Sequence, residues 1–195
     1  MDCLLRHLAI CLLLFVGAVS AAEVPRHSPE FAIALTSGKQ ILLSQHRGKV
    51  VALVFILTYC PHCQVTVQAL SKLQGEYGPR GFQVLASAIE DMAAMAVPDF
   101  LRRFQPTFPV GFNNRDQVLE YLQHPPMFKL LMPQLVFVDR EGTIRAQYAG
   151  DDPFFGAEQD KNLRAKIEEL LKQSAPKSAT RKKSDLQTSK AKAAQ

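Results

Sequence analysis

The sequence predicts an α/β domain: one central mixed β-sheet flanked by helices. Two observations carry this. Short strand-like runs alternate with amphipathic stretches along most of the chain. One run, KVVALVFILT (Lys49–Thr58), is apolar almost throughout and rich in β-branched residues, the pattern of a strand covered on both faces. A length of 195 residues with 47% apolar content suits one domain with its own core.

Each element has its own signal. PEFAIALTSG (29–38) and KQILLSQH (39–46) read as two short strands about a Ser-Gly turn. After the apolar run, residues 64–77 carry Val65, Ala69, Leu73 and Tyr77 at four-residue steps, an amphipathic helix ended by Gly78-Pro79-Arg80-Gly81. FQVLASAI (82–89) is the next strand. Residues 92–104 form a helix in which Pro98 marks a break or a new first turn. Residues 108–112 are extended, and 115–123 form a short helix capped by Asn114. QLVFVD (134–139) and TIRAQYA (143–149) pair across the turn Arg140-Glu141-Gly142, and residues 157–172 close the domain as a helix through Leu163, Ile167, Leu170 and Leu171.

The two ends differ from this body. Arg6 precedes the apolar run LAICLLLFVGAV (8–19), and Val19-Ser20-Ala21 offers a signal-peptidase site, so residues 1–21 are expected to be a signal peptide, or else an uncleaved N-terminal anchor. Twelve apolar residues are short for a bilayer span of roughly 20. Ile10 before Cys11 argues against a lipoprotein site. Residues 174–195 carry six lysines and arginines against Asp185 alone, a net of +5, while the other 17 basic and 17 acidic residues cancel. This tail is expected to be disordered, suited to a weak contact with anionic membrane. No aromatic residue is interleaved with its charges, which speaks against nucleic acid. The folded domain is placed at 22–173.

Signal cleavage would leave only Cys60 and Cys63, in TYCPHCQ, and export would put them in an oxidising compartment. The spacing alone leaves three uses. Zinc wants four ligands, and no second cysteine pair follows, with His27, His46 and His124 scattered. An inert disulfide across one helical turn would constrain the unfolded chain little. Redox chemistry fits better. A strand running into a helix puts Cys60 at the helix N-terminus, where unpaired amides and the dipole favour a thiolate. Pro61 suits the first helical position. Cys63, one turn on and deeper, suits the resolving role, and His62 can lower the Cys60 pKa. No cofactor or metal is called for. Pro133, after Met132 and before a strand, would in the cis form offer the Met132 backbone to an extended peptide.

FILTYCPHC after an apolar strand, then FQVLASAIED, FPVGFN, MPQLVFVDREGTI and a closing YAG resemble the thioredoxin superfamily, nearest to exported thiol–disulfide oxidoreductases of the TlpA/ResA type. The resemblance covers Ser28–Lys172. It implies a thioredoxin-like fold, Cys60 as nucleophile, Cys63 as resolving thiol, a cis Pro133 facing them, protein thiols or disulfides as substrates, a redox partner protein, and a periplasmic, monomeric enzyme. Tyr59 and Met132 are the expected substrate contacts.

The chain departs from that family at three positions. Tyr59 stands where Trp is usual, Val54 where thioredoxins bury an Asp, and Thr66 where ResA-like proteins place a Glu. Those carboxylates help deprotonate the resolving thiol, so the proton acceptor is unassigned, with Glu90 as a substitute candidate. Pro61-His62 is also the dipeptide of the oxidant DsbA, which leaves the direction of electron flow open. Two rival functions share the fold. A peroxiredoxin-like peroxidase would want Thr or Ser at Leu57 and Pro at Leu53. A Sco-like copper(I) chaperone would draw on His62, His124, Met127 or Met132, although its cysteines are usually one residue further apart.

Overall fold

The computed structural model describes residues 22–173, so the signal segment and the basic tail lie outside the described residues. Eight strands form one sheet: β1 (Arg26–His27), β2 (Ala32–Ala34), β3 (Gln40–Leu42), β4 (Val50–Ile56), β5 (Phe82–Ala88), β6 (Val110–Phe112), β7 (Gln134–Val138) and β8 (Thr143–Tyr148). Four α-helices accompany them: α1 (Pro61–Tyr77), α2 (Ala93–Phe104), α3 (Arg115–Leu122) and α4 (Gln159–Lys172). The sheet order is β1-β8-β7-β4-β5-β6-β2-β3. β4, β5 and β6 run parallel, and β7 lies antiparallel to β4.

β4 explains the layering. All seven of its residues are buried. Val50, Ala52, Val54 and Ile56 join one core layer with residues of α1, α2 and α4. Val51, Leu53 and Phe55 join the other with Val118, Tyr121 and Leu122 of α3. Alternation with period two sends successive side chains to opposite layers, so a strand covered on both faces must be apolar throughout.

Several expectations needed correction. α1 begins at Pro61, and its buried side runs through Cys63, Thr66, Val67, Leu70, Leu73 and Tyr77, whereas Val65 is 59% exposed. Of the four-residue repeat, Leu73 and Tyr77 are buried and Ala69 packs against the core, so only Val65 departs, its place on the inner face taken by Thr66. Pro98 does not break α2: the helix runs through it, with Ala93, Val97 and Phe100 anchored in the core. That burial outweighs one missing main-chain hydrogen bond. β1 was not expected. It pairs Arg26 with Ile144 and His27 with Thr143, and its polar residues carry no strand pattern. Asn114 caps α3 as expected, accepting from the amides of Asp116 (2.7 Å) and Gln117 (3.3 Å).

The β7–β8 turn is built around a buried carboxylate. Asp139 Oδ1 accepts from the amides of Glu141 (3.0 Å) and Thr143 (2.8 Å), and Oδ2 pairs with Arg145 Nε at 2.6 Å. Gly142 takes the left-handed conformation the turn requires (φ 84°).

Candidate active site

The parallel strands β4 and β5 end side by side, and the site is built on their ends. Leu57, Thr58 and Tyr59 lead from β4 to Cys60, the extended residue that precedes α1 (φ −81°, ψ 119°). The Cys60 amide donates to the Leu57 carbonyl (3.1 Å), and the Cys60 carbonyl accepts the first helical bond from Gln64 (3.0 Å). No side chain caps this helix end, and Pro61 supplies no amide at its first position. Cys60 thus stands at a helix end whose first amides are open, the positive end of the helix dipole.

The two free thiols differ in access. Cys60 is half-buried, and Tyr59 beside it is 69% exposed. Cys63 is fully buried in the core layer under α1. Burial pushes its thiol well above the ordinary range; a hydrogen bond with the Leu57 main chain offsets part of this, while Cys60 and the charge on Glu90 add to it. Pro61 and His62 lie exposed on the rim.

The Met132–Pro133 peptide is cis, as the resemblance implied, and Pro133 is buried at the head of β7. Met132 and Cys60 border the same core layer. Gly150 packs on Met132: a Cβ at Gly150 would lie 2.4 Å from the Met132 carbonyl oxygen. The Leu131 carbonyl accepts from the Gly150 amide (3.2 Å) and from Gln134 Nε2 (2.6 Å), which fixes the chain entering β7.

The positions that depart from the family are apolar or neutral in place. Val54 is fully buried in the layer that holds Cys63. Thr66 is buried, its Oγ1 2.9 Å from the His62 carbonyl and 3.2 Å from Gln159 Oε1. The charge on Glu90 acts on Cys63 and opposes its ionisation. Its Oε1 accepts from the Thr58 amide at 3.0 Å and from the Thr58 hydroxyl. Sequence reasoning missed Thr58 in this role; its signal was its place two residues beyond β4, in register with Glu90.

Among the described residues no three His, Cys, Asp or Glu side chains form a group able to hold a metal ion. His124, considered as a copper ligand, instead places Nε2 3.3 Å from the Phe128 carbonyl of its own loop.

The fold and the CxxC at its strand–helix junction define a thioredoxin-like protein. A family model described as Redoxin matches residues 23–165, and the chain belongs to that family. It is 28% identical over 136 residues to the thiol-disulfide oxidoreductase ResA of Geobacillus kaustophilus, covering 70% of this chain and 75% of that one. It is 25% identical over 154 residues to ResA of Bacillus thuringiensis subsp. konkukian, covering 79% and 80%. Among solved structures, a Chlorobium tepidum protein assigned as the thiol:disulfide interchange protein DsbE matches with a TM-score of 0.62 and 25% identity, covering 74% of this chain and 98% of that one. Together these make the chain a thiol–disulfide oxidoreductase of the ResA/DsbE type.

Proposed function

We propose that the chain exchanges disulfides with protein thiols outside the cytoplasm, with Cys60 as the attacking sulfur and Cys63 as the resolving one. The observation that carries this is the unequal access of the pair: Cys60 half-buried at an open helix N-terminus, Cys63 fully buried one turn on. A substrate disulfide reaches Cys60 first. The Cys60 thiolate attacks one substrate sulfur, the substrate S–S bond breaks, and the other sulfur leaves as a thiolate. Cys63 then attacks the Cys60 sulfur, the mixed disulfide breaks, and the second substrate sulfur leaves. Two electrons pass to the substrate and the pair ends as a disulfide. The same steps in reverse oxidise a dithiol.

The cis Met132–Pro133 peptide is the backbone assigned to meet an incoming extended polypeptide, and exposed Tyr59 offers it an apolar contact. His62 stands on the rim as a donor to the Cys60 thiolate. The N-terminal apolar segment supports export to the periplasm, whether it is cleaved or kept as an anchor. No described helix is long and apolar enough to cross a membrane.

Trapping tests the assignment. Cys63→Ser should accumulate a stable mixed disulfide at Cys60 with oxidised glutathione, and Cys60→Ser should accumulate none. Mixed disulfide at Cys63 in the Cys60→Ser protein would reverse the roles.

A further inference from the structure

The turn between β4 and α1 carries both Tyr59 and Cys60, and side chains hold it in place. Leu57 to Cys60 form a β-turn closed by the Cys60 amide on the Leu57 carbonyl at 3.1 Å, with Thr58 and Tyr59 as its central residues. Every polar group of Thr58 is bonded to a side chain. Its amide (3.0 Å) and its hydroxyl donate to Glu90 Oε1, and its carbonyl accepts from Gln64 Nε2 at 2.9 Å.

Strand register explains why side chains take over here. Ile56 of β4 lies opposite Ala88 of β5, and the Ile89 amide donates to the Ile56 carbonyl at 3.1 Å. Among the described residues no further main-chain bond joins the two strands. Glu90 reaches Thr58 from the β5 side, and Gln64 reaches it from α1.

Gln64 follows Cys63 directly and is half-buried. It grips the turn twice. Its amide donates to the Cys60 carbonyl at 3.0 Å, and its side chain reaches six residues back to the Thr58 carbonyl. These two carbonyls bracket Tyr59 and Cys60. No other donor meets the Thr58 carbonyl among the described residues.

We propose that Gln64 is a positioning residue of the exchange reaction: through the Thr58 carbonyl it fixes the turn, and with it the line along which the Cys60 sulfur meets a substrate disulfide. This rests on Cys60 being the attacking sulfur. Gln64 touches no reacting atom and takes no proton. When the Cys60 thiolate attacks, the new S–S bond forms as the substrate S–S bond breaks, and the departing sulfur takes the electron pair. Such a step tolerates little sideways drift, since a displacement of about 1 Å can cost about 100-fold. Without its donor the Thr58 carbonyl turns to water, and the turn is held from the β5 side alone.

A Gln64 that only stapled the first turn of α1 would act on stability alone. Its loss would lower the unfolding midpoint and leave each folded molecule reacting at the wild-type rate. Gln64 is neutral, so a neutral substitution of equal length separates placement from charge.

The test is mixed-disulfide formation at Cys60 in the full chain carrying Cys63→Ser, with 2-hydroxyethyl disulfide as an uncharged probe. The rate is read on the alkaline plateau, where it no longer rises with pH. There Cys60 is all thiolate, so the rate reports placement and not acidity. Gln64→Met, of the same length but without a donor, should slow the reaction about 10-fold per folded molecule. Gln64→Lys, which reaches the Thr58 carbonyl and donates again, should recover the rate to within about 3-fold of the parent. A parent-like plateau rate in Gln64→Met would overturn the proposal, and so would a Gln64→Lys protein as slow as Gln64→Met. Should Gln64→Met fail to fold, Gln64→Ala removes the same donor and is read the same way. If the Cys63→Ser parent itself forms no mixed disulfide at Cys60, it is the underlying exchange reading that fails.

Discussion

Gly150 lies directly on the backbone of Met132, the residue that leads into β7 through the cis peptide to Pro133. The Met132 nitrogen and carbonyl oxygen would stand 2.8 and 2.4 Å from a Cβ at position 150, closer than real contacts allow. The neighbour is main chain, so it must shift as a unit. Gly150→Ala is therefore expected to cost about 1–3 kcal/mol of stability. It should also lower disulfide exchange about 100-fold, because a displacement of about 1 Å is enough to misalign reacting groups. Denaturant unfolding and turnover with oxidised glutathione, measured on the same sample, check both effects.

Alkaline pH should expose Tyr121. Burial pushes its phenol up to about 12, partly offset by its hydrogen bond with Ser28 (2.8 Å). A tyrosine in the unfolded chain ionises near 10. The folded state thus keeps its proton where the unfolded state loses it. Stability from this group is complete below about pH 10 and falls between about pH 10 and 12, by roughly 2–3 kcal/mol in all. Tyr121→Phe should be about 1 kcal/mol less stable at pH 7 for want of the Ser28 bond. It should show a shallower loss above pH 10, and urea midpoints across that range check the slope.

Asp139 should matter more to the hairpin than its place in a turn suggests. Its carboxylate satisfies two amides and pairs with Arg145, all from one buried position. Asp139→Ala leaves those two amides without their acceptor. A loss of about 2–4 kcal/mol is expected, read by thermal or denaturant unfolding. Activity per folded molecule should stay close to wild type, since the β7–β8 turn lies at the far end of β7 from Pro133.

Much of this was legible from residue types. The unbroken run of β4 announced a central strand, Cys60-Pro61 a helix start, and Asp139 through Gly142 a turn, because each is a local pattern with a local cause. The buried side of α1 was legible at Leu73 and Tyr77 but not in its first turns, where Thr66 is buried and Val65 exposed, an inversion that depends on what packs above the helix. β1 exists only because β8 offers it an edge. Glu90 could be singled out as the acid at a strand end, but its tie to Thr58 depends on the register between β4 and β5. The contact of Gly150 with Met132 joins residues far apart in the chain, and a glycine in isolation does not reveal what approaches it.

The central claim is that Cys60 and Cys63 act as one two-electron couple. Equilibration of the full chain across glutathione buffers of graded potential, followed by thiol alkylation and mass counting, tests it most directly. Both thiols should disappear together in one transition, with a tenfold change in the oxidised-to-reduced ratio for each 30 mV or so. Thiols that oxidise independently, or a chain that stays doubly reduced in the most oxidising buffer, would contradict the account.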